Sequence, residues 1–112
     1  VVAPLGIDDS GQVYNVNADR VACALASALE AKQILFVTGA GGVRRNASDP
    51  SSNLDTCDGA TFEAGVEAGW IAGGMRVKIE TALDALSDGV GSAVVCGPDD
   101  LLEQTHATEV VL

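Results

Sequence analysis

The sequence predicts an α/β layered fold with a mostly parallel sheet, and three observations support this prediction. Hydrophobic residues make up 47% of the 112 residues, so the chain can bury a core. Only 4% of the residues are aromatic and 13 are glycine, which favours a core of small and branched side chains with close helix–sheet contacts. Strand-like and helix-like segments alternate, which implies right-handed crossovers. At this length we expect a single domain, residues 1–112.

The predicted elements are read from apolar periodicity and from turn residues. Short apolar runs between turns predict strands, and apolar stripes that repeat every three or four residues predict helices. In chain order the elements are a hairpin of Val1–Ile7 and Gln12–Val16, a helix from Asn17 or Asp19 to about Leu29, a strand at Gln33–Thr38, helices at Ala60–Ala68 and from Gly73 to Gly89, a strand at Ser92–Cys96, a short helix at Asp99–Gln104 and a strand at Thr108–Leu112.

The core-facing sides of two helices follow from the same periodicity. In the first helix we expect the stripe Val21, Leu25, Ala28 and Leu29, and in the third helix the stripe Met75, Ile79, Leu83 and Leu86. The polar, turn-rich segment 44–56 is predicted to be a surface loop.

The charge of the chain excludes one class of partner. Sixteen acidic residues against six basic ones give a formal net charge of −10, so a nucleic acid would be repelled over most of the surface. Solubility is the simple explanation of this acidity. The six basic residues are the exceptions, and four of them lie beside glycine pairs: Arg44, Arg45, Arg76 and Lys78.

The cysteines and the terminal sequences indicate a cytoplasmic setting. Cys23, Cys57 and Cys96 are odd in number and lack metal-ligand spacing, so we expect idle thiols in a reducing cytosol. No signal peptide and no apolar run of membrane-spanning length is present, so we expect no membrane partner. Because the sequence opens with Val1 and Val2 in what resembles mid-strand, we expect a fragment of a longer protein.

The segment Gly73–Lys78, with the sequence GGMRVK, is the first candidate for chemistry. Two glycines at a helix start leave backbone N–H groups approachable, which favours an anion site. An anionic ligand there would attract the amides and the side chains of Arg76 and Lys78 together. The alternative is that both side chains extend into solvent on an acidic protein.

The segment Asn15–Asp19, with the sequence NVNAD, is the second candidate. Asn15, Asn17 and Asp19 occupy alternate positions, so they share one face if the segment is extended. Asparagine amides can bind a carboxylate, and Asp19 can hold a lysine in position. The alternative is that one of the three only caps the following helix.

The segment Thr38–Gly42, with the sequence TGAGG, is the third candidate. Its glycines follow a strand and let the backbone approach a phosphate or a ribose. A dinucleotide-binding fold is disfavoured, because a loop and not a helix follows the glycines. A tight turn without a ligand remains the alternative. His106, the only histidine, is interpreted as a surface residue.

Taken in order, these three segments resemble the acetylglutamate kinase family of amino-acid kinases. That family has NVNAD before a helix, a T-D-x-x-G loop after a strand and GGMxxK at the start of a later helix. The resemblance covers essentially the whole chain. It implies a three-layer α/β/α fold, the carbamate kinase-like C-terminal lobe of an amino-acid kinase, with ATP and Mg²⁺ as cofactors.

The resemblance also implies a role for each matching position. Lys78 would stabilise the transferring phosphoryl group, Asp19 would orient the catalytic lysines, and Asn15 and Asn17 would serve the acyl-amino-acid site. The residues implied to bind the nucleotide are Thr38, Gly39, Gly41, Gly42, Val43, Trp70, Gly73, Gly74 and Met75.

The chain departs from the family pattern at three positions and in length. Gly39 replaces the usual Asp, Ala107 replaces a glycine near the end, and Glu30 replaces a glycine near the end of the first helix. The N-terminal half of the family, with its phosphate loop and second catalytic lysine, has no counterpart. We therefore expect the isolated chain to be inactive, and either to form homo-oligomers or to pair with an N-terminal half.

Three functions remain open at this point. The first is phosphorylation of the side-chain carboxylate of N-acetyl-glutamate in arginine biosynthesis. The second is the related kinase acting on aminoadipate in lysine biosynthesis, which shares these motifs. The third is a non-catalytic nucleotide-binding remnant or subunit, which Gly39 and Ala107 favour.

Overall fold

A computed structural model describes residues 1–112. Its elements are β1 (Leu5–Ile7), β2 (Val13–Asn15), α1 (Ala18–Ala28), β3 (Ile34–Val37), β4 (Thr56–Cys57), α2 (Gly59–Ala68), α3 (Gly73–Ser87), β5 (Ala93–Cys96) and β6 (Thr108–Val110). The predicted hairpin, the three longer helices and the strands at β3, β5 and β6 are confirmed. Short 3₁₀ turns lie at Pro50–Ser52 and Pro98–Asp100.

The main sheet has four strands in the order β3-β5-β6-β4. The pairs β3–β5 and β4–β6 are parallel, and β5–β6 is antiparallel. The predicted α/β class and the mostly parallel sheet are therefore confirmed. The two-residue strand β4 was not predicted, because only its pairing with β6, some fifty residues later, makes it a strand.

The hairpin β1–β2 forms a separate two-stranded antiparallel sheet. Its turn is organised by Asp8, whose carboxylate accepts hydrogen bonds from the amides of Ser10 and Gln12 and from the Tyr14 hydroxyl. Its apolar side chains stay exposed, Ile7 at 72% and Val13 at 53%. The hairpin is thus held by its own turn more than by the core.

The core lies between the sheet and the helices α1 and α3. Ile79 on α3 and Val95 on β5 are fully buried in it, and Met75, Leu83 and Leu86 pack partly buried against it. The predicted apolar face of α3 is therefore confirmed. None of the helices has both the length and the apolar composition that crossing a membrane requires.

The predicted core-facing stripe of α1 is wrong. Leu25 is 38% exposed and Leu29 is 75% exposed, whereas Cys23 and Ala26 are the buried residues. Since α1 packs along α3, small side chains occupy the contact and the leucines lie on the outer side. Apolar residues surround most of α1, so periodicity alone did not distinguish the two faces.

The predicted helix at Asp99–Gln104 is also wrong. The Asp100 carboxylate accepts hydrogen bonds from the amides of Thr105 and His106, which closes a loop in place of a helix. Gln104 has a φ of +53°, a left-handed conformation that does not continue a helix. Only the 3₁₀ turn at Pro98–Asp100 remains.

Candidate functional site

The carboxyl ends of β3 and β5 meet at one edge of the sheet. The Thr38 amide donates to the Cys96 carbonyl across 2.9 Å, so the two loops leave the sheet side by side. In open α/β sheets, ligands bind outside the carboxyl ends of the strands. The loop after β3, which contains the predicted TGAGG segment, therefore lies where a ligand is expected.

The loop Thr38–Val43 is held in a tight turn that leaves its tip accessible. The Thr38 hydroxyl donates to the Gly41 carbonyl across 2.9 Å, and Gly41 has a φ of +79°. Gly39 and Ala40 are exposed at the tip. A backbone with this shape leaves room for a phosphate or a ribose, and the nucleotide contact predicted for Thr38, Gly39 and Gly41 stays a prediction.

The far end of this loop is packed into the protein. A Cβ atom at Gly42 would lie 2.5 Å from Asn53 Oδ1 and 2.8 Å from the His106 carbonyl oxygen. The Val43 side chain is only 1% exposed, and the Val43 amide donates to the Thr108 hydroxyl. Val43 thus anchors the loop to the core, and the nucleotide contact predicted for it stays a prediction.

The helix α3 starts without a capping side chain. Asn17 caps α1 and Asp58 caps α2, but the residue before α3 is Ala72, which offers no side-chain acceptor. Gly73 and Gly74 are exposed, with open space around both. The first amides of α3 are therefore accessible at the positive end of a helix dipole, an arrangement that attracts anions.

Asp19 and Lys78, predicted from separate motifs, are brought together between α1 and α3. The Lys78 ammonium donates to both carboxylate oxygens of Asp19, at 3.0 and 3.2 Å. The Lys78 side chain is 23% exposed and the Asp19 side chain 20%, so the pair is partly shielded from water. A second pair between the same helices, Arg20 and Glu80, is longer at 3.8 Å and more exposed.

The two asparagines of the NVNAD segment have different surroundings. The Asn17 side chain accepts hydrogen bonds from the amides of Asp19 and Arg20, so it is the cap of α1. Asn15 is exposed at the end of β2. Capping therefore explains Asn17, and the substrate contacts predicted for both asparagines remain predictions.

A cavity of about 240 Å³ opens between the loop after β3 and the start of α3. It is mostly apolar and is lined by Ala40, Gly42, Arg44, Ala47, Trp70, Ala72 and Met75. The residues predicted from two distant segments, Gly42 on one side and Trp70 and Met75 on the other, thus share one space.

Sequence reasoning missed the part that the loop 44–47 plays. Arg44 and Ala47 line the cavity, and the Arg45 guanidinium lies 5.5 Å from the centre of the Trp70 ring. The available signal was the position of both arginines, which follow the glycine pair after one intervening residue, Val43, in an acidic chain. Because segment 44–56 was predicted to be a surface loop, no role in the site was predicted for its arginines.

The three thiols take no part in this site. Cys23, Cys57 and Cys96 are free and buried. Burial away from water is the largest cause that raises the pKa of each thiol, so the reactive thiolate is disfavoured. His106 is exposed, as predicted.

These features define an α/β protein with a candidate ligand site at the carboxyl edge of its sheet, between a glycine-rich loop and an uncapped helix. More particularly, the chain belongs to the amino acid kinase family, whose sequence pattern matches residues 1–97. An acetylglutamate kinase of Anaeromyxobacter dehalogenans (strain 2CP-C) is 44% identical over 105 residues, which is 91% of this chain and 39% of that relative. The chain thus spans between about a quarter and two fifths of the length of the curated relatives it matches.

Solved structures agree with the fold. The protein smu.665 from Streptococcus mutans UA159 matches 98% of this chain and 41% of its own, with a TM-score of 0.81 at 29% identity. Carbamate kinase from Giardia lamblia bound to AMP-PNP matches 96% of this chain and 40% of its own, with a TM-score of 0.70 at 16% identity. The mostly parallel sheet with packed helices is consistent with the three-layer α/β/α architecture of these folds.

Proposed function

We propose that the chain supplies the nucleotide-binding half of an acetylglutamate kinase. That enzyme transfers the ATP γ-phosphoryl group to the side-chain carboxylate of N-acetyl-L-glutamate, in arginine biosynthesis. One observation carries the proposal. Lys78 lies on α3, the helix that starts without a cap, and its ammonium contacts Asp19 on α1. The 44% identity to a named acetylglutamate kinase supports the choice of substrate.

The residues of this site can position phosphates and balance their charge. The α3 amides at Gly73 and Gly74 would hold phosphate oxygens, and the ammonium of Lys78 would stabilise negative charge that develops during transfer. Asp19 holds that ammonium in place through two hydrogen bonds. Such positioning and electrostatics do most of the catalysis in phosphoryl transfer.

Mg²⁺ would accompany the nucleotide. No three acidic, histidine or cysteine side chains of this chain converge as a metal site. The phosphates and waters would therefore be its main ligands, as is usual for Mg²⁺ bound with nucleotides. When bound, it would neutralise charge on the β- and γ-phosphate oxygens.

Two further candidates and several partners belong to the same proposal. An aminoadipate kinase would use the same motifs, and Gly39 and Ala107 favour a non-catalytic nucleotide-binding remnant or subunit. We propose ATP and N-acetyl-glutamate as ligands, the cytoplasm as location, and assembly as a homo-oligomer or with an N-terminal half. The exposed apolar hairpin supports such assembly.

Calorimetric titration of the chain with ATP and Mg²⁺ tests the proposal. We expect binding to the wild-type chain, and Lys78→Ala to weaken it by about tenfold or more, since a charge-assisted hydrogen bond is lost. Lys32→Ala is the matched control, because Lys32 is an exposed lysine outside the site. Equal ATP affinity of the wild-type chain and both variants would show that Lys78 does not contribute to the site.

An ADP-release assay with ATP and N-acetyl-glutamate separates the candidates further. We expect no turnover from the chain alone, because one lysine without its partner leaves transferring charge unbalanced. Rapid turnover would contradict the half-site proposal and indicate a complete enzyme.

A further inference from the structure

We infer that Arg45 is a positioning residue for the nucleotide base, because it holds the Trp70 ring as a wall of the cavity between the loop after β3 and the start of α3. Arg45 acts through Trp70, and the ligand class it serves is a planar heteroaromatic base. The inference rests on the proposed function, since it assigns the base end of the same nucleotide.

The Trp70 ring is placed first by α2. A Cβ atom at Gly65 would lie 2.8 Å from Trp70 Cη2 and 2.6 Å from Ile71, so the two side chains pack directly on this glycine and a larger residue would displace them. Trp70 is half-buried and Ile71 is 1% exposed. One edge of the ring is therefore fixed on α2, while other parts of it remain accessible.

Arg45 then restrains the ring from the loop side. Its guanidinium lies 5.5 Å from the centre of the Trp70 ring, within the range of a cation–π interaction. Neither of the two ion pairs in the protein involves Arg45. Its amide donates to the Ser52 carbonyl, which fixes the backbone from which the side chain extends.

The cavity next to the ring suits a base better than a phosphate or an amino acid. Its lining is mostly apolar, and Arg44 is its only charged residue. A volume of about 240 Å³ accommodates one flat bicyclic ring. Stacking on an aromatic side chain favours such a ring whatever its hydrogen-bonding groups. The phosphates would then extend toward Gly73 and Gly74.

The test compares ATP with inorganic tripolyphosphate, which has the phosphates and no base, on the chain and its Arg45→Ala variant. Trp70 is the only tryptophan, so its fluorescence reports on this cavity alone. We expect Arg45→Ala to weaken ATP binding about two- to fivefold and to leave tripolyphosphate binding unchanged. Arg45→Lys should restore part of the ATP affinity, and acrylamide should quench Trp70 more strongly in Arg45→Ala.

Three results would contradict the role inferred for Arg45. Equal weakening of ATP and tripolyphosphate would show that Arg45 acts as a charge on phosphates, which overturns the inference alone. Unchanged ATP affinity and unchanged quenching in Arg45→Ala would also overturn it alone. A wild-type chain that binds neither compound would overturn the proposed function together with this inference.

Discussion

The contact between Lys78 and Asp19 is the residue-scale feature on which the proposed site depends. Both side chains are partly shielded, and the ammonium bonds to both carboxylate oxygens. Two helices that start far apart in sequence converge at this point, so the pair links the NVNAD and GGMRVK segments physically.

A double-mutant cycle on this pair gives the first prediction. Asp19→Ala and Lys78→Ala are expected to be coupled by about 1 kcal/mol in the free energy of unfolding, since each deletion leaves a partly buried charge without its partner. Chemical denaturation measures it. The matched control is the cycle of Arg20→Ala and Glu80→Ala between the same helices. We expect a coupling free energy there of only about 0.2–0.5 kcal/mol, because exposed ion pairs contribute about 0.2–1 kcal/mol. A coupling no larger than in this control would contradict the shielded contact.

Gly42 gives a second prediction at the residue scale. A Cβ atom there would meet a backbone carbonyl and the Thr108 hydroxyl at 2.8 Å, so Gly42→Ala should destabilise the chain by about 1–3 kcal/mol. Gly39→Ala is the matched control, because no atom lies within 4 Å of its Cβ position. Thermal unfolding compares the two. Equal midpoints would mean that Gly42 is not packed as described.

At the scale of the element, the first backbone amides of the helix α3 have no capping side chain as acceptor. The two other long helices are capped by asparagine or aspartate, so the absence of a cap at Ala72 is specific to this helix. An uncapped start is less stable than a capped one, and a bound anion would compensate for that difference.

Replacing Ala72 tests this arrangement. Ala72 has extended backbone angles, φ −145° and ψ 170°, which suit a capping residue. Ala72→Ser should raise the free energy of unfolding by about 0.5–2 kcal/mol and should weaken ATP binding, because the hydroxyl occupies an amide that the phosphates need. Paired denaturation and calorimetry measure both effects. Greater stability with unchanged ATP affinity would show that phosphates bind elsewhere.

The stability of the hairpin turn depends on pH through the Asp8 carboxyl group. Hydrogen bonds from Ser10, Tyr14 and Gln12 lower the pKa of Asp8 from 3.8 to about 2. A carboxyl group with a lowered folded pKa stabilises above its ordinary pKa and loses that contribution as the pH falls through the folded value. We therefore expect the hairpin to hold at pH 4 and above and to loosen toward about pH 2.

The Asp8 carboxyl titration, followed by NMR, measures this directly. The amide signals of Ser10 and Gln12 should shift with the same midpoint, and Asp8→Asn should abolish that transition. A midpoint at the ordinary value of 3.8 would show that the turn does not hold the carboxylate.

Local signals predicted most elements, and non-local contacts account for the errors. The cap at Asn17 and the glycines after α2 and α3 act within one turn, so their effects can be read from the sequence. The strand β4 exists only through its pairing with β6. The buried face of α1 depends on how closely α3 approaches, which no local pattern encodes.

At the scale of the whole molecule, the charge distribution sets the site apart. The chain carries a net charge of −10, yet Arg44, Arg45, Arg76 and Lys78 all lie in or next to the segments that form the site. A local basic region on an acidic protein draws an anionic ligand to one place and repels polyanions elsewhere.

Most residues of the candidate site could be proposed from the sequence because its motifs are short and contiguous. The Asp19–Lys78 contact and the meeting of Gly42 with Met75 needed the fold to be seen, but the residues themselves were identified beforehand. Arg45 was not, because its role depends on the distant ring of Trp70 and on Gly65 beneath it. Contacts of that kind leave no periodic signal.

The central claim is that nucleotide phosphates bind at the uncapped start of α3. Titration of the ¹⁵N-labelled chain with ATP and Mg²⁺, followed by amide chemical shifts, tests it most directly. We predict that the largest shifts occur at Gly73 and Gly74, followed by Gly39 and Ala40, with the hairpin β1–β2 unchanged. Saturable binding that shifts other amides and leaves Gly73 and Gly74 unmoved would contradict the claim.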